Sequence, residues 1–394
     1  MTMEEKVIKN LLTNEKMLSH IKDTPFLIQF TNGESFHVGS ADPVFQIRFN
    51  KEIPKKDLST STSLALGEAY MRKDIEIEGD LLCALDCLMQ SLDDFSVDKK
   101  ILRNIIKTST RKANQKKEVS SHYDIGNDFY KLWLDESLSY SCAYFSDENI
   151  NLCEAQMAKI KHSLDKLYLS EDMTLLDIGC GWGGLLIEAA KTYQIKGIGI
   201  TLSKEQCEEA NRRIQTENLS HQIEVKLMDY RDIESLNQTF DRVVSIGMIE
   251  HVGRGNYNKF LKHIHAILNP GGLLLLHSIT GRKENDGDPW IKKYIFPGGV
   301  VPSLRELIYQ GYETEFLVRD VESLRLHYHK TLLHWYQNFQ DCKSHVEKMM
   351  GEEFTRMWEI YLGCCAASFR CANIDIHQIL MTKGCNNDIP IIRV

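Results

Sequence analysis

From residue 174 onwards, short apolar runs alternate with longer amphipathic stretches. Leu175, Leu176 and Ile178 form a run that reads as a buried strand and breaks into glycines at Gly179, Gly181, Gly183 and Gly184. Helical periodicity follows over Leu185–Lys191. Further apolar runs occur at Lys196–Ile200, Ile223–Met228, Asp241–Ile246 and Gly272–His277, with helical stretches between them. Strands alternating with helices predict a parallel, doubly wound α/β sheet whose ligands sit at the C-terminal strand ends. Earlier in the chain the pattern differs. Phe26–Phe30, an Asn32-Gly33 turn and Ser35–Val38 predict a hairpin, and Phe45–Phe49 alternates like another half-buried strand. Leu64–Met71 and Leu81–Leu92 read as helices, so this region is expected to be a smaller α+β domain. Near the end, Tyr294–Pro302 is an apolar excursion suited to a lid over a greasy substrate. Leu324–Phe339 is an aromatic helix for which core packing is the default.

These patterns divide the chain into residues 1–98 (an accessory domain that positions lipid or membrane), a basic linker 99–120, and a catalytic domain 121–394. The 394-residue length suits two domains, each with its own core. A net charge of −8 argues against nucleic acid as a general partner. Against that balance, residues 99–117 carry eight cations and no acid. They form either a solvated linker helix or a patch for anionic lipid, where each cation contributes about 1 kcal/mol. Eleven scattered cysteines without Cys-x-x-Cys pairs, and no secretory signal, read as reduced thiols in a cytoplasm; no metal site is expected. No apolar run approaches the ~20 residues that span a bilayer, so the expectation is a cytoplasmic protein, at most peripheral to a membrane.

The glycine turn indicates the cofactor class. Gly179, Gly181 and Gly184 fit the dinucleotide spacing, but that pattern also needs an acid at the second strand's tip, about 20 residues on. Thr201 stands there instead, and the acid, Asp177, lies within the first strand. Such a turn admits a ligand close to the backbone and aims free N–H groups at it. Leu-Asp-Ile-Gly-Cys-Gly resembles the first motif of Rossmann-like class I S-adenosylmethionine methyltransferases.

Several separated motifs extend that resemblance. They are His-Tyr-Asp-Ile-Gly-Asn-Asp-Phe-Tyr (122–130), Tyr-Ser-Cys-Ala-Tyr-Phe (140–145), Leu-Asp-Ile-Gly-Cys-Gly-Trp-Gly (176–183) and Thr-Leu-Ser-Lys-Glu-Gln (201–206). Gly-Met-Ile-Glu-His-Val-Gly (247–253), Lys-Tyr-Ile-Phe-Pro-Gly-Gly (293–299) and Cys-Ala-Ala-Ser-Phe-Arg (365–370) complete the ordered set. Together they resemble the cyclopropane-fatty-acid-phospholipid synthases and the related mycolic acid cyclopropane synthases. Leu-Gly-Glu-Ala-Tyr-Met (66–71) resembles the N-terminal domain of the long bacterial form. The resemblance implies that S-adenosylmethionine is held by Tyr140, Ser141, Gly179, Cys180, Gly181, Thr201, Leu202, Gln206, Tyr230 and Arg231. Tyr230 stands where the family often has tryptophan. A bicarbonate ion is implied at Cys142 and Ile279 (through backbone N–H), Glu250, His277 and Tyr328. Cys365 matches a cysteine once proposed as nucleophile; no step needs a thiol attack, which ranks it as structural. A homodimer and an unsaturated phospholipid substrate on a membrane surface are also implied.

An isolated alkene is a poor nucleophile, so the enzyme must align it with the sulfonium methyl, a proximity effect of ~7–11 kcal/mol. The transferred methyl leaves a carbocation, which aromatic faces lower by about 0.5–2 kcal/mol each. Ring closure then needs a base, and a small untethered anion oriented by Glu250 and His277 suits that role. Two other readings remain open: a small-molecule (amine) methyltransferase, whose acceptor lone pair needs neither bicarbonate nor a dry channel, and a lipid carrier with an inactive site.

Overall fold

The computed structural model describes residues 24–90, 126–284 and 287–391. The basic stretch 99–117, residues 122–125 of the first motif and the last two positions of the helix expected over Leu81–Leu92 lie outside them. The described residues form two compact units. One contains residues 24–90, Gly287–Pro297 and Leu332–Asn373; the other contains 126–284, Gly298–Thr331 and 374–391. Two late segments that the sequence reading assigned to the catalytic part therefore cluster with the N-terminal residues.

In the first unit, β1 (Phe26–Gln29), β2 (Ser35–Val38), β3 (Phe45–Phe49) and β4 (Ile75–Gly79) form a sheet in the order β2-β1-β3-β4. The Asn32-Gly33 turn closes the β1–β2 hairpin, with Gly33 at φ +83°. Phe26 stacks on Phe45 at 4.9 Å, and Ile28, Ile47 and Phe49 are buried beside them. The late segments join this unit through specific contacts. Glu359, on the helix Glu352–Arg370, is buried and accepts hydrogen bonds from the Tyr70 hydroxyl (3.1 Å), Gln340 (2.8 Å) and Lys343 (2.6 Å). Arg356 on the same helix donates to the carbonyls of Tyr70 and Ile75, and its guanidinium lies 4.0 Å from the Tyr70 ring. Gly363 lets that helix approach closely, since a Cβ there would stand 2.5 Å from Leu85 Cδ1.

The second unit holds a seven-stranded sheet. Its strands are β5 (Thr174–Ile178), β6 (Lys196–Thr201), β7 (Ile223–Leu227), β8 (Phe240–Ile246), β9 (Leu268–Gly281), β10 (Phe316–Ser323) and β11 (Ile374–Lys383), in the order β10-β11-β9-β8-β5-β6-β7. β5 to β9 pair in parallel, as the alternation predicts. The expected parallel sheet is extended by β10 and β11, which are antiparallel. Period-two alternation feeds two cores. Leu176, Val243, Leu274 and Leu276 join the side chains of helices Tyr257–Ile267 and Leu304–Glu313. Leu175, Val244, Leu273 and Leu275 join those of helices Leu152–Lys166, Gly184–Tyr193 and Lys204–Thr216. Each such side chain stabilises the fold by about 1.5–3 kcal/mol relative to exposure. With both faces covered, only the strand ends remain to build a site.

Candidate active site

Four parallel strands end on one cavity. β5 delivers Asp177 and the turn Gly179–Trp182, β6 delivers Thr201, Leu202 and Gln206, β7 is followed by Met228–Arg231, and β8 by Gly247, Met248 and His251. Tyr140, Ser141 and Lys159 close the remaining side. All ten residues implied for the cofactor line this one cavity.

Local chemistry explains the shape. Gly179 and Gly181 have φ +83° and +55°, a region that disfavours side chains. A Cβ at Gly179 would stand 3.0 Å from Met248 Cγ, whereas one at Gly181 would meet no atom within 4 Å and would occupy open space. The turn differs from the expectation in one respect. The N–H groups of Gly179 and Cys180 both donate to Ile200 O, at 2.9 and 3.1 Å, and that of Gly183 to Cys180 O. The turn folds back onto β6, so these three N–H groups are engaged within the protein; what the glycines supply is room. Trp182 Nε1 donates to Asn127 Oδ1 (2.8 Å), which clasps the turn to the end of the 122–130 motif. Tyr130 packs between Trp182 and Tyr140, at 5.5 and 5.4 Å.

Thr201 donates its hydroxyl to Gln206 Oε1 (2.8 Å), and Ser203 caps the helix at Gln206 N–H, fixing the loop after β6. Tyr230 is buried edge-on against Phe260 at 5.1 Å. Arg231 forks onto Asp229 through Nε and Nη2 (2.8 and 2.6 Å) and lies 5.4 Å from the Tyr230 ring. Asp177, within β5, is buried, and burial pushes its carboxyl up to about 7. Asp229, Lys159 and the clasp at Asn127 were not foreseen. For Lys159 a signal existed: it falls on the buried stripe of its helix with Leu152, Ala155, Gln156, Ile160 and Ser163, where a cation is out of place.

A second cluster lies where β8, β9 and β11 meet. Glu250 is buried after β8, and its Oε1 accepts the Ile279 N–H at 2.8 Å. Its other oxygen, Oε2, is buried without a hydrogen-bond partner, and burial pushes the carboxyl up to about 7. His277, two residues before Ile279, pairs in register with Ile246 and Gln378. Gln378 Nε2 contacts both Ser163 Oγ (3.1 Å) and His277 Nδ1 (3.3 Å), and the Ser163 hydroxyl itself donates to Lys159 O. The amide therefore presents its donor to both, which leaves the imidazole proton on Nε2, a buried atom with no partner. Burial and, after it, the charge of Lys159 hold His277 down to about 3, so the ring is neutral. Cys142 is buried; its Sγ contacts Leu324 O at 3.8 Å, the carbonyl that also accepts the Tyr328 N–H. Leu324 N–H donates to Ile376 O, and Ile376 pairs with Ile279. Cys142, Tyr328, Ile279 and Glu250 are thus linked through adjacent backbone.

One implied role requires correction. The Ile279 N–H already donates to Glu250 Oε1, so it is not open to an ion in this arrangement. Cys365 lies on the helix Glu352–Arg370 of the first unit. Burial raises its thiol far above neutrality, which leaves no thiolate for attack. His251 lines the donor cavity, and burial lowers it to about 4. The Tyr294–Pro302 stretch divides between the units; in the second, Val300 N–H donates to Glu250 O, and Pro302 O accepts from Gly281 N–H.

Comparison with known proteins identifies relatives of this arrangement. Residues 110–379 match the family described as Mycolic acid cyclopropane synthetase, and residues 13–100 match a domain of unknown function. The chain is 41% identical over 273 residues to a cyclopropane-fatty-acyl-phospholipid synthase of Escherichia coli (strain K12), covering 69% of each protein. It is 37% identical over 369 residues to a probable fatty acid methyltransferase of Pseudomonas putida, covering 91% of this chain and 92% of that one. Among solved structures, mycolic acid cyclopropane synthase CmaA1 complexed with SAH and CTAB superposes with a TM-score of 0.64 at 36% identity, covering 68% of this chain and 98% of that one.

Proposed function

The chain belongs to the mycolic acid cyclopropane synthetase family, and on that premise we propose that it methylates the cis double bond of an unsaturated phospholipid acyl chain and closes the product to a cyclopropane, with bicarbonate as base. The chain is an S-adenosylmethionine-dependent methyltransferase of the cyclopropane synthase type, acting on an unsaturated lipid chain.

The observation that carries the assignment of a bound base is the pair of buried, unpartnered polar atoms Glu250 Oε2 and His277 Nε2. Burying a polar group without a hydrogen bond costs about 1–3 kcal/mol, so two together at strand ends suit a small polar guest. The pair fits bicarbonate: neutral His277 can donate from Nε2 to an oxygen of the ion, and Glu250 Oε2 can accept the ion's own O–H. Bicarbonate, when bound, would supply a base that needs no tether. S-adenosylmethionine, when bound, supplies an electrophilic methyl on a sulfonium. The open space at Gly181 and the aromatic face of Tyr230 fit the donor. Glu250 and His277 orient, Tyr328 donates a hydrogen bond, and the Cys142 backbone contributes its N–H. We further propose a homodimer and peripheral attachment to anionic lipid, the latter on the eight cations of residues 99–117, with residues 1–98 positioning the lipid. No helix among the described residues is long and apolar enough to cross a membrane.

The test is mass spectrometry of unsaturated phospholipid vesicles after incubation with the purified enzyme and donor. One added methylene on unsaturated acyl chains, and none on saturated chains, is expected. An unchanged lipid, with methylation of an added amine instead, would overturn the proposal in favour of a small-molecule methyltransferase.

A further inference from the structure

Lys159 is a buried cation for which the described residues supply no ion pair. It lies on the inner face of the helix Leu152–Lys166, 3% exposed, and lines the donor cavity. Its Nζ makes one hydrogen bond, to Ser141 Oγ at 3.0 Å. No carboxylate of the described residues lies within 4 Å of it, although an ammonium has three donors to place. The neighbouring Lys166, equally buried, shows the usual solution: it is paired with Glu322. A buried, unpaired ammonium is costly, and it persists where something else completes its shell. The same cavity is lined by Asp177, and no ion pair joins its carboxyl to Lys159. The cavity therefore offers one cationic and one acidic group, held apart. A free amino-acid end, with an ammonium and a carboxylate on one carbon, has the complementary charges.

We propose that Lys159, together with the Ser141 hydroxyl it orients, binds the α-carboxylate of the methyl donor and makes the enzyme selective for donors that carry it. The helix face supports this assignment beyond charge. Gln156, one turn earlier, donates to the carbonyls of Ser141 (2.8 Å) and Ser139 (3.3 Å), so two successive inward side chains fix the segment that carries Ser141. The proposal rests on the donor assignment and is independent of the acceptor and of the base.

Calorimetry tests it without turnover, using S-adenosylhomocysteine and its analogue lacking the carboxyl group. The wild-type protein is expected to prefer S-adenosylhomocysteine by about tenfold or more, as for a hydrogen bond to a charged group. Lys159→Met should lose about that factor for S-adenosylhomocysteine, keep its affinity for the decarboxylated analogue, and so lose the preference. Lys159→Arg, which keeps the charge, should retain part of it. A Lys159→Met protein that still prefers the carboxylate, or that loses both ligands equally, overturns the proposal. Wild-type protein that binds both ligands equally overturns it as well, whatever the variants do. Wild-type protein that binds neither ligand overturns the donor assignment itself, a separable failure.

Should Lys159→Met fail to fold, the wild-type protein decides alone. Burial lowers the Lys159 ammonium to about 8, with Asp135, Cys142 and Asp177 as the charged or titratable groups facing it and His277 within reach of its charge. The ratio of the two affinities should therefore fall as pH rises through that value. A ratio constant with pH overturns the proposal.

Discussion

Replacing Glu250 by glutamine should make the enzyme slower and, above neutral pH, relatively more stable. Burial moves the carboxyl from its ordinary 4.5 to about 7, and the Ile279 N–H opposes the shift only in part. At about 1.4 kcal/mol per pH unit, that displacement corresponds to ~3 kcal/mol of folding free energy. The sign follows from which state holds the proton. The folded protein binds it more tightly than the unfolded chain, so the contribution is fully present below the ordinary value and is lost as pH rises through about 7. Glutamine has no such proton. Its Oε1 can keep the Ile279 bond, while its buried Nε2 would lack a partner at a pH-independent cost of about 1–3 kcal/mol. Urea unfolding of both proteins across this range should therefore show their stability difference moving by ~3 kcal/mol towards Glu250→Gln as pH rises from about 4.5 to above 7. Turnover should fall by about a hundredfold or more, the scale of acid–base contributions. Donor affinity should hold, because Glu250 does not line the donor cavity. Parallel stability curves would refute the burial argument, and full turnover by the variant would refute the base site.

Gly181→Val should fold with a penalty of about 1–2 kcal/mol for its left-handed backbone and lose donor binding by calorimetry, because its side chain would occupy the open space in the cavity. Tight binding by the folded variant would move the donor elsewhere. Cys365→Ser should retain turnover, because the native thiol is held un-ionised by burial; loss of turnover with unchanged stability would restore a catalytic role. Replacing Lys112, Lys116 and Lys117 with glutamine should weaken co-sedimentation with anionic vesicles and flatten its salt dependence, at about 1 kcal/mol per cation. Unchanged binding at low salt would make the stretch a linker only.

The parallel half of the sheet was legible because β5, β6, β8 and β9 are apolar runs between amphipathic helices, a pattern dictated by burial on both faces. β10 and β11 were not, since Phe316–Ser323 is half exposed at the sheet edge and its polar positions read as loop. β4 was missed likewise, with Glu76 and Glu78 each following an isoleucine. Residues forced by strand-end geometry, such as Gly179 and Thr201, could be found from local spacing. Gln378 could not be placed, because its partner His277 lies 101 residues away. The joining of Glu352–Arg370 to the N-terminal unit was hidden for the same reason, since it depends on Glu359 meeting Tyr70, 289 residues distant.

The most direct test of the central claim follows the hydrogens of the transferred methyl group. Given a donor whose methyl carries three deuterium atoms, the enzyme should add a carbon bearing two of them to each unsaturated acyl chain. The third leaves when the ring closes, and the rate should drop on removal of bicarbonate and recover on its return. A product that keeps all three deuterium atoms as a methyl branch would contradict ring closure, and a rate indifferent to bicarbonate would contradict the base assigned to Glu250 and His277.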